Sequence, residues 1–206
     1  ALPLEAFRQL ILQYEIAAVY TNNDYEPNAI QRDSAVQTFL KSKGIEFHGF
    51  KDHVVFERGE IRKDNGEPYT IFTPYSKKWK QALGDNPVPE FSSDKYLNRF
   101  IKTGPFDFPE LKEIGFEPGR IQLPPREIPE NIIKEYAKTR DFPAIQGTSK
   151  LGVHLRFGTI SIREVTRKAM ELSEVFLNEL IWRNFFMDIL WHFPEVETRA
   201  FKQKYD

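Results

Sequence analysis

The residues best equipped for chemistry lie in one short segment, FLNELIWRNFF, near the end of the chain. Phe176, Glu179, Trp182, Arg183 and Phe186 are three or four positions apart, so on a helix they occupy one side. A carboxylate, an indole and a guanidinium among phenylalanines make an amphipathic, aromatic-rich wall. Two readings fit this spacing. One is a core helix with a local Glu179–Arg183 salt bridge. The other is a ligand cleft where a ring stacks and the carboxylate accepts hydrogen bonds from a base or heterocycle.

A second segment, YAKTRDFPAIQGTSKLG, places Tyr136 and Arg140 at i,i+4, able to face one ligand. Gly147-Thr148-Ser149 offers a small-residue turn with hydroxyls and free backbone N–H groups, the means by which loops grip phosphate, or else an ordinary connection between helices. Lys150, Arg156, Arg163, Arg167 and Lys168 follow closely. They read either as a surface for a phosphodiester backbone or as a solvated face. His48, His53, His154 and His192 show no metal-ligand spacing, so no metal site is expected. Neither a Gly-x-Ser-x-Gly elbow nor a Walker loop occurs.

The elements that must position these groups follow from periodicity. Leu4, Phe7, Leu10, Ile11 and Tyr14 recur at helical spacing. The run Ile16 to Thr21 is short, β-branched and apolar on both faces, as for a buried parallel strand. Pro27 opens a second helix, striped by Ala29, Ile30, Val36, Phe39 and Leu40, which stops at Gly44. Ile45 to Phe50 reads as the next strand. This β-α-β rhythm implies parallel strands flanked by helices, part of an open α/β sheet. Eight of the fourteen prolines fall between Gly84 and Pro129, which reads as a connector laid over a surface. Ile132, Ile133 and Tyr136 then stripe a helix. After Ser161, read as an N-cap, a long helix or helix pair runs to His192.

Composition bounds the function. The 206 residues are enough for one good-sized domain or two small ones, and 29 basic against 30 acidic side chains exclude a globally basic nucleic-acid binder. No apolar run approaches the roughly 18 residues of a membrane helix, and no signal peptide is visible. The absence of cysteine excludes disulfides, thiolate zinc sites and thiol nucleophiles; a reducing, cytoplasmic setting is the expectation. The chain opens on Ala1 and its only methionines are Met170 and Met187, so preceding β-α units are expected to lie outside it.

The blocks AVYTNNDYEPNAIQRD, GEPYTIFTPYSKKW, YAKTRDFPAIQGTSKLGVHLRFGTISIRE and NELIWRNFFMDILWHFP, in this order, resemble the DNA photolyase/cryptochrome family along nearly the whole chain. The resemblance implies an α/β plus all-α fold. Residues 1–83 would be the C-terminal part of a Rossmann-like antenna domain, 84–129 an inter-domain connector, and 130–206 the start of a helical FAD-binding domain. Tyr136 would line the flavin pocket and Arg140 would reach DNA phosphate. Thr148, Ser149, Lys150 and Leu151 match the motif that holds the FAD phosphates and ribityl chain, with Gly152 standing where many members have Ser. Glu179 matches the carboxylate that hydrogen-bonds a flipped pyrimidine dimer, and Trp182 the indole against which the dimer packs, so these two are the catalytic candidates. Phe186 joins Arg140, Glu179 and Trp182 on the DNA-binding side, and Arg183 matches a flavin-side arginine. Asn28 matches a folate-contacting asparagine, although Ala29 replaces the acidic residue usually beside it.

The implied activity is light-dependent repair of cyclobutane pyrimidine dimers by a deoxyribodipyrimidine photo-lyase using FAD, with a folate or deazaflavin as second antenna chromophore. Its partner is damaged DNA, with no membrane. A cryptochrome-type photoreceptor without repair activity is the alternative. The full-length protein is expected to be a monomer. The 206-residue chain is expected to hold half of a flavin cup, to bind FAD weakly or not at all, to be inactive alone and to self-associate through uncovered apolar faces.

Overall fold

A computed structural model describes residues 2–84, 88–105, 107–117 and 119–205; Pro87 and Pro118 of the proline-rich stretch lie outside the described residues. The order is α1 (Pro3–Gln13), β1 (Ala18–Asn22), α2 (Pro27–Ser42), β2 (Glu46–Phe50), α3 (Phe72–Leu83), α4 (Glu130–Thr139), α5 (Gly152–Arg156), α6 (Ile162–Leu172) and α7 (Glu174–His192), with three short 3₁₀ turns. It is an α/β arrangement with a small parallel sheet and many helices.

The strands β1 and β2 pair in parallel, Ala18 opposite Glu46 and Asn22 opposite Phe50, with α2 as the crossover. Pro27 opens α2, and Gly44, at φ +73°, ends it in a left-handed conformation that suits glycine. The expectation that β1 is buried on both faces does not hold. Tyr20 is 68% exposed and stacks on His48 and Phe50 across the sheet at 5.0 and 6.0 Å, so one face of the sheet is open. The apolar stripe of α1 likewise buries no residue fully.

The main core is built on α7. This helix is apolar nearly all round, as a helix covered from several sides should be. Leu177, Leu180, Ile181, Phe185 and Ile189 enter the core together with Tyr75, Trp79 and Leu83 of α3, Ile133 of α4 and Ile162, Val165 and Ala169 of α6. Ile61 and Val88 join it, as do Leu151, Ile160 and Phe176, so the segment after β2 and the last helices share one interior. Within that interior the Asn184 side chain bridges three groups. Its Oδ1 accepts from the Phe56 N–H at 3.1 Å and from the Trp79 Nε1–H at 3.2 Å, and its Nδ2 donates to the Phe56 carbonyl at 3.1 Å.

The final helical region is a pair, not one continuous helix. It breaks at Ser173, whose hydroxyl caps α7 by accepting from the Phe176 N–H at 3.3 Å. Ser161 precedes α6 as expected, but its side chain makes no capping hydrogen bond. Between residues 93 and 127 the described chain forms a short 3₁₀ helix, Asp94–Arg99, and a hydrogen-bonded turn at 111–115, and lies largely exposed. The His154 ring ties this stretch down, its Nε2 lying 2.8 Å from the Pro124 carbonyl. Among the described residues no helix is long and apolar enough to cross a membrane, and no cluster suits a metal ion.

Candidate functional site

Two helices bring the central residues together. α4 carries Tyr136 and ends at Arg140, while α7 carries Glu179, Trp182 and Phe186. The Arg140 guanidinium donates to the Glu179 carboxylate, cross-linking α4 to α7. It also lies 5.6 Å from the Tyr136 ring centroid, and that ring meets Phe176 edge-on at 5.1 Å. Glu179 is about one-third exposed, so the pair is reachable and worth no more than about 1 kcal/mol to the fold. Burial, and then the Glu179 charge, raise the Tyr136 hydroxyl above the ordinary tyrosine range.

Trp182 stands one turn along from Glu179. Its indole lies flat on Phe72, the first residue of α3, with ring centroids 3.6 Å apart and planes within 5°. Phe186, 59% exposed, stacks on the same indole at 5.4 Å, and Phe185 meets it edge-on at 5.6 Å. The aromatic wall therefore presents Phe186 and part of Trp182 to solvent beside a carboxylate.

Arg183 shares the stripe but turns elsewhere. It donates to the carbonyls of His53 and, at 3.4 Å, Leu155, clipping the segment after β2 to α7. Burial lowers its pKa from the ordinary arginine value. The Glu179–Arg183 bridge considered from spacing does not form, because Arg140 from the next helix takes the carboxylate.

The turn after α4 is packed tightly against that helix. A Cβ placed on Gly147 would lie 2.6 Å from the Thr139 carbonyl oxygen, so only glycine permits this approach. Thr148 is exposed, and the Ser149 hydroxyl accepts from the Leu151 N–H at 3.4 Å. Lys150 holds φ +54°, a strained state for a side-chain-bearing residue of the kind found at ligand clamps. Leu151 anchors the turn in the core, and Gly152 faces open space. Since Gly147 touches Thr139 and Arg140 touches Glu179, the turn and the aromatic wall are contiguous.

The remaining cations are largely neutralised. Arg156 pairs with Glu26 at 2.8 Å, Arg163 with Asp52 at 3.3 Å, Arg167 with Glu90 at 3.8 Å and Lys168 with Glu130 at 3.0 Å. These four belong to ion pairs and do not make a bare positive surface. Asn28 is exposed on the first turn of α2.

Sequence reasoning missed Phe72, the Asn184 hub and a cleft of about 870 Å³ at the end of β1, bordered by Asn22, Asp52, His53, Arg126, Arg156 and Arg163. A smaller apolar cleft of about 500 Å³ adjoins it, sharing Asn22, Asp52, Phe91 and Arg163. The signal for Phe72 was its spacing from Tyr75 in FTPY, one helical turn; the clefts join segments far apart in sequence and left no local signal.

A parallel β-α-β unit joined to a helical layer, with a carboxylate–aromatic wall beside a small-residue turn, is the arrangement with which known proteins can be compared. The family profile described as DNA photolyase matches residues 2–93. The deoxyribodipyrimidine photo-lyase of Synechococcus is 31% identical over 97% of this chain and 47% of its own length. That of Vibrio cholerae is 32% identical over 90% of this chain and 44% of its own. A bacterial class III photolyase from Agrobacterium tumefaciens superposes with a TM-score of 0.75 at 23% identity, covering 99% of this chain and 47% of that one. A Synechocystis cryptochrome superposes at 0.64 with 18% identity, covering 92% and 44%; at these identities the likeness is one of fold. The chain belongs to the DNA photolyase/cryptochrome family. It spans about half the length of the curated relatives it matches.

Proposed function

We propose that the full-length protein repairs cyclobutane pyrimidine dimers in DNA under light, with FAD as its cofactor. The observation that carries this reading is the shared side of α7. Glu179, Trp182 and Phe186 form an acceptor beside an aromatic wall, reachable from solvent and continuous with the Gly147–Gly152 turn. Residues 1–83, 84–129 and 130–206 are then the antenna portion, the connector and the start of the FAD-binding portion. The relatives' names supply the reaction class: the Synechococcus and Vibrio cholerae proteins are deoxyribodipyrimidine photo-lyases.

The turn suits the cofactor's phosphates. The Thr148 hydroxyl is exposed, and the left-handed Lys150 shapes a concave backbone, as anion-holding loops require. Thr148, Ser149, Lys150, Leu151 and Gly152 would hold the phosphate and ribityl end, with Tyr136 beside it. Arg183 acts from behind, fixing α7 through backbone carbonyls. When bound, reduced FAD supplies the electron that splits the dimer.

The chain's own residues bind and orient. Trp182 and Phe186 give the extruded lesion an apolar surface, and extrusion is easiest for a damaged, weakly paired dinucleotide. Glu179 accepts hydrogen bonds from the base N–H groups, and Arg140 holds that carboxylate in place while presenting a cation toward phosphate. For a second chromophore, the cleft at the end of β1 is better formed than the surface around Asn28, since ligands of parallel α/β sheets sit at the carboxyl ends of the strands.

The test is loss of dimers from a thymine-dimer oligonucleotide incubated with the full-length protein under blue light, against a dark control. Light-dependent loss supports repair. A protein that takes up FAD, absorbs blue light and leaves every dimer intact belongs instead to the cryptochrome-type reading.

A further inference from the structure

We infer that Phe72 is a positioning residue for lesion recognition, setting the plane of the Trp182 indole. The inference rests on the proposed repair function and adds a residue from a different part of the chain. Three contacts carry it. Phe72 lies parallel to the indole, with centroids 3.6 Å apart and planes within 5°, a fuller overlap than either phenylalanine of α7 achieves. Phe72 is itself met edge-on by Phe185 at 5.9 Å, and Phe185 packs at a tilt on Tyr75 at 5.1 Å, so α3 and α7 interlock ring by ring. Phe72 is also the first residue of α3, placed by the helix start and not by a mobile loop.

A partly buried indole on a helix can swing about its side-chain torsions unless a neighbour holds it. Covering one face with a parallel ring fixes the plane of the indole, so that its remaining exposed part is presented beside Phe186. The wall is thus built before any ligand arrives, and binding need not order it.

The experiment compares affinities of the full-length protein for a dimer-containing and an undamaged oligonucleotide at fixed salt, with bound-flavin absorbance as the control for folding. F72L is expected to lower the preference for the dimer roughly two- to ten-fold, the range of an aromatic pair. Flavin content and affinity for undamaged DNA should stay unchanged, and F72Y, which keeps the ring, should retain the preference. In a W182A background F72L should add nothing, because Phe72 acts through that indole. Should F72L lose its flavin, F72M, which fills the volume with a flexible chain, takes its place in the same comparison. A wild-type preference in the Phe72 variants, with W182A losing it, overturns the inference and leaves the repair reading standing. A wild-type preference in W182A overturns the repair reading itself.

Discussion

Asn184 is a buried polar group that fastens the site helix to the segment after β2 and to α3, and its removal has a size that can be worked out. The amide serves the Phe56 N–H, the Phe56 carbonyl and the Trp79 Nε1–H, all within 3.2 Å. Asn184 is buried and the Trp79 side chain is fully so. Asn184→Ala therefore strips partners from two donors and one acceptor at once. Each orphaned buried group costs about 1–3 kcal/mol, and water reaching one of them reduces the sum, so the expected loss is about 3–6 kcal/mol. That is a large part of the stability of an ordinary domain. The assay is urea unfolding of the 206-residue chain followed by the fluorescence of its three tryptophans, of which Trp79 lies beside the substituted position. An unchanged m-value would assign the loss to the folded state. A loss below about 1 kcal/mol at unchanged m would refute the reasoning, since one buried and two partly buried polar groups cannot all lose their partner so cheaply.

Three further outcomes follow from the same geometry. Glu179→Gln removes a negative charge that raises the Tyr136 pKa, so the phenol should titrate at lower pH in ultraviolet absorbance; no change would mean that burial alone sets it. Gly147→Ala forces a Cβ to within 2.6 Å of the Thr139 carbonyl oxygen and should cost about 1–3 kcal/mol in denaturant unfolding, and a neutral effect would show that the turn does not press on α4. Burial pushes the Asp188 carboxyl up from 3.8 to about 6, so between those values the folded chain keeps a proton that the unfolded chain has released. Its contribution to stability is therefore greatest at and below about pH 4 and declines as pH rises to about 6, by about 3 kcal/mol at most. His192, whose pKa burial lowers, works in the opposite sense as pH falls through its ordinary range. A D188N stability profile parallel to the wild type would contradict this.

Local chemistry made much of the fold legible. Pro27 and Gly44 bracket α2 because one presets a helical φ and the other takes a left-handed one, and the crossover rule then makes β1 and β2 parallel. The side of α7 that holds Glu179, Trp182 and Phe186 was readable from i,i+3 and i,i+4 spacing. What spacing could not give was the partner across space. Arg183 is an equally good helical neighbour for Glu179, yet the carboxylate goes to Arg140 because α4 packs on α7, and Arg183 finds backbone carbonyls instead. Ser161 and Ser173 look alike as caps, and only the second accepts a backbone N–H. Tyr20 sits in a strand apolar enough to be buried, but a strand is buried only where something covers its face.

The proposed repair function depends on the side of α7 where a carboxylate and an indole meet solvent together. The most direct test measures how strongly the full-length protein prefers dimer-containing over undamaged DNA, in wild type and in W182A, with flavin content matched. The expected result is a clear preference in wild type that falls in W182A while affinity for undamaged DNA holds. Equal preference in the two proteins would contradict it.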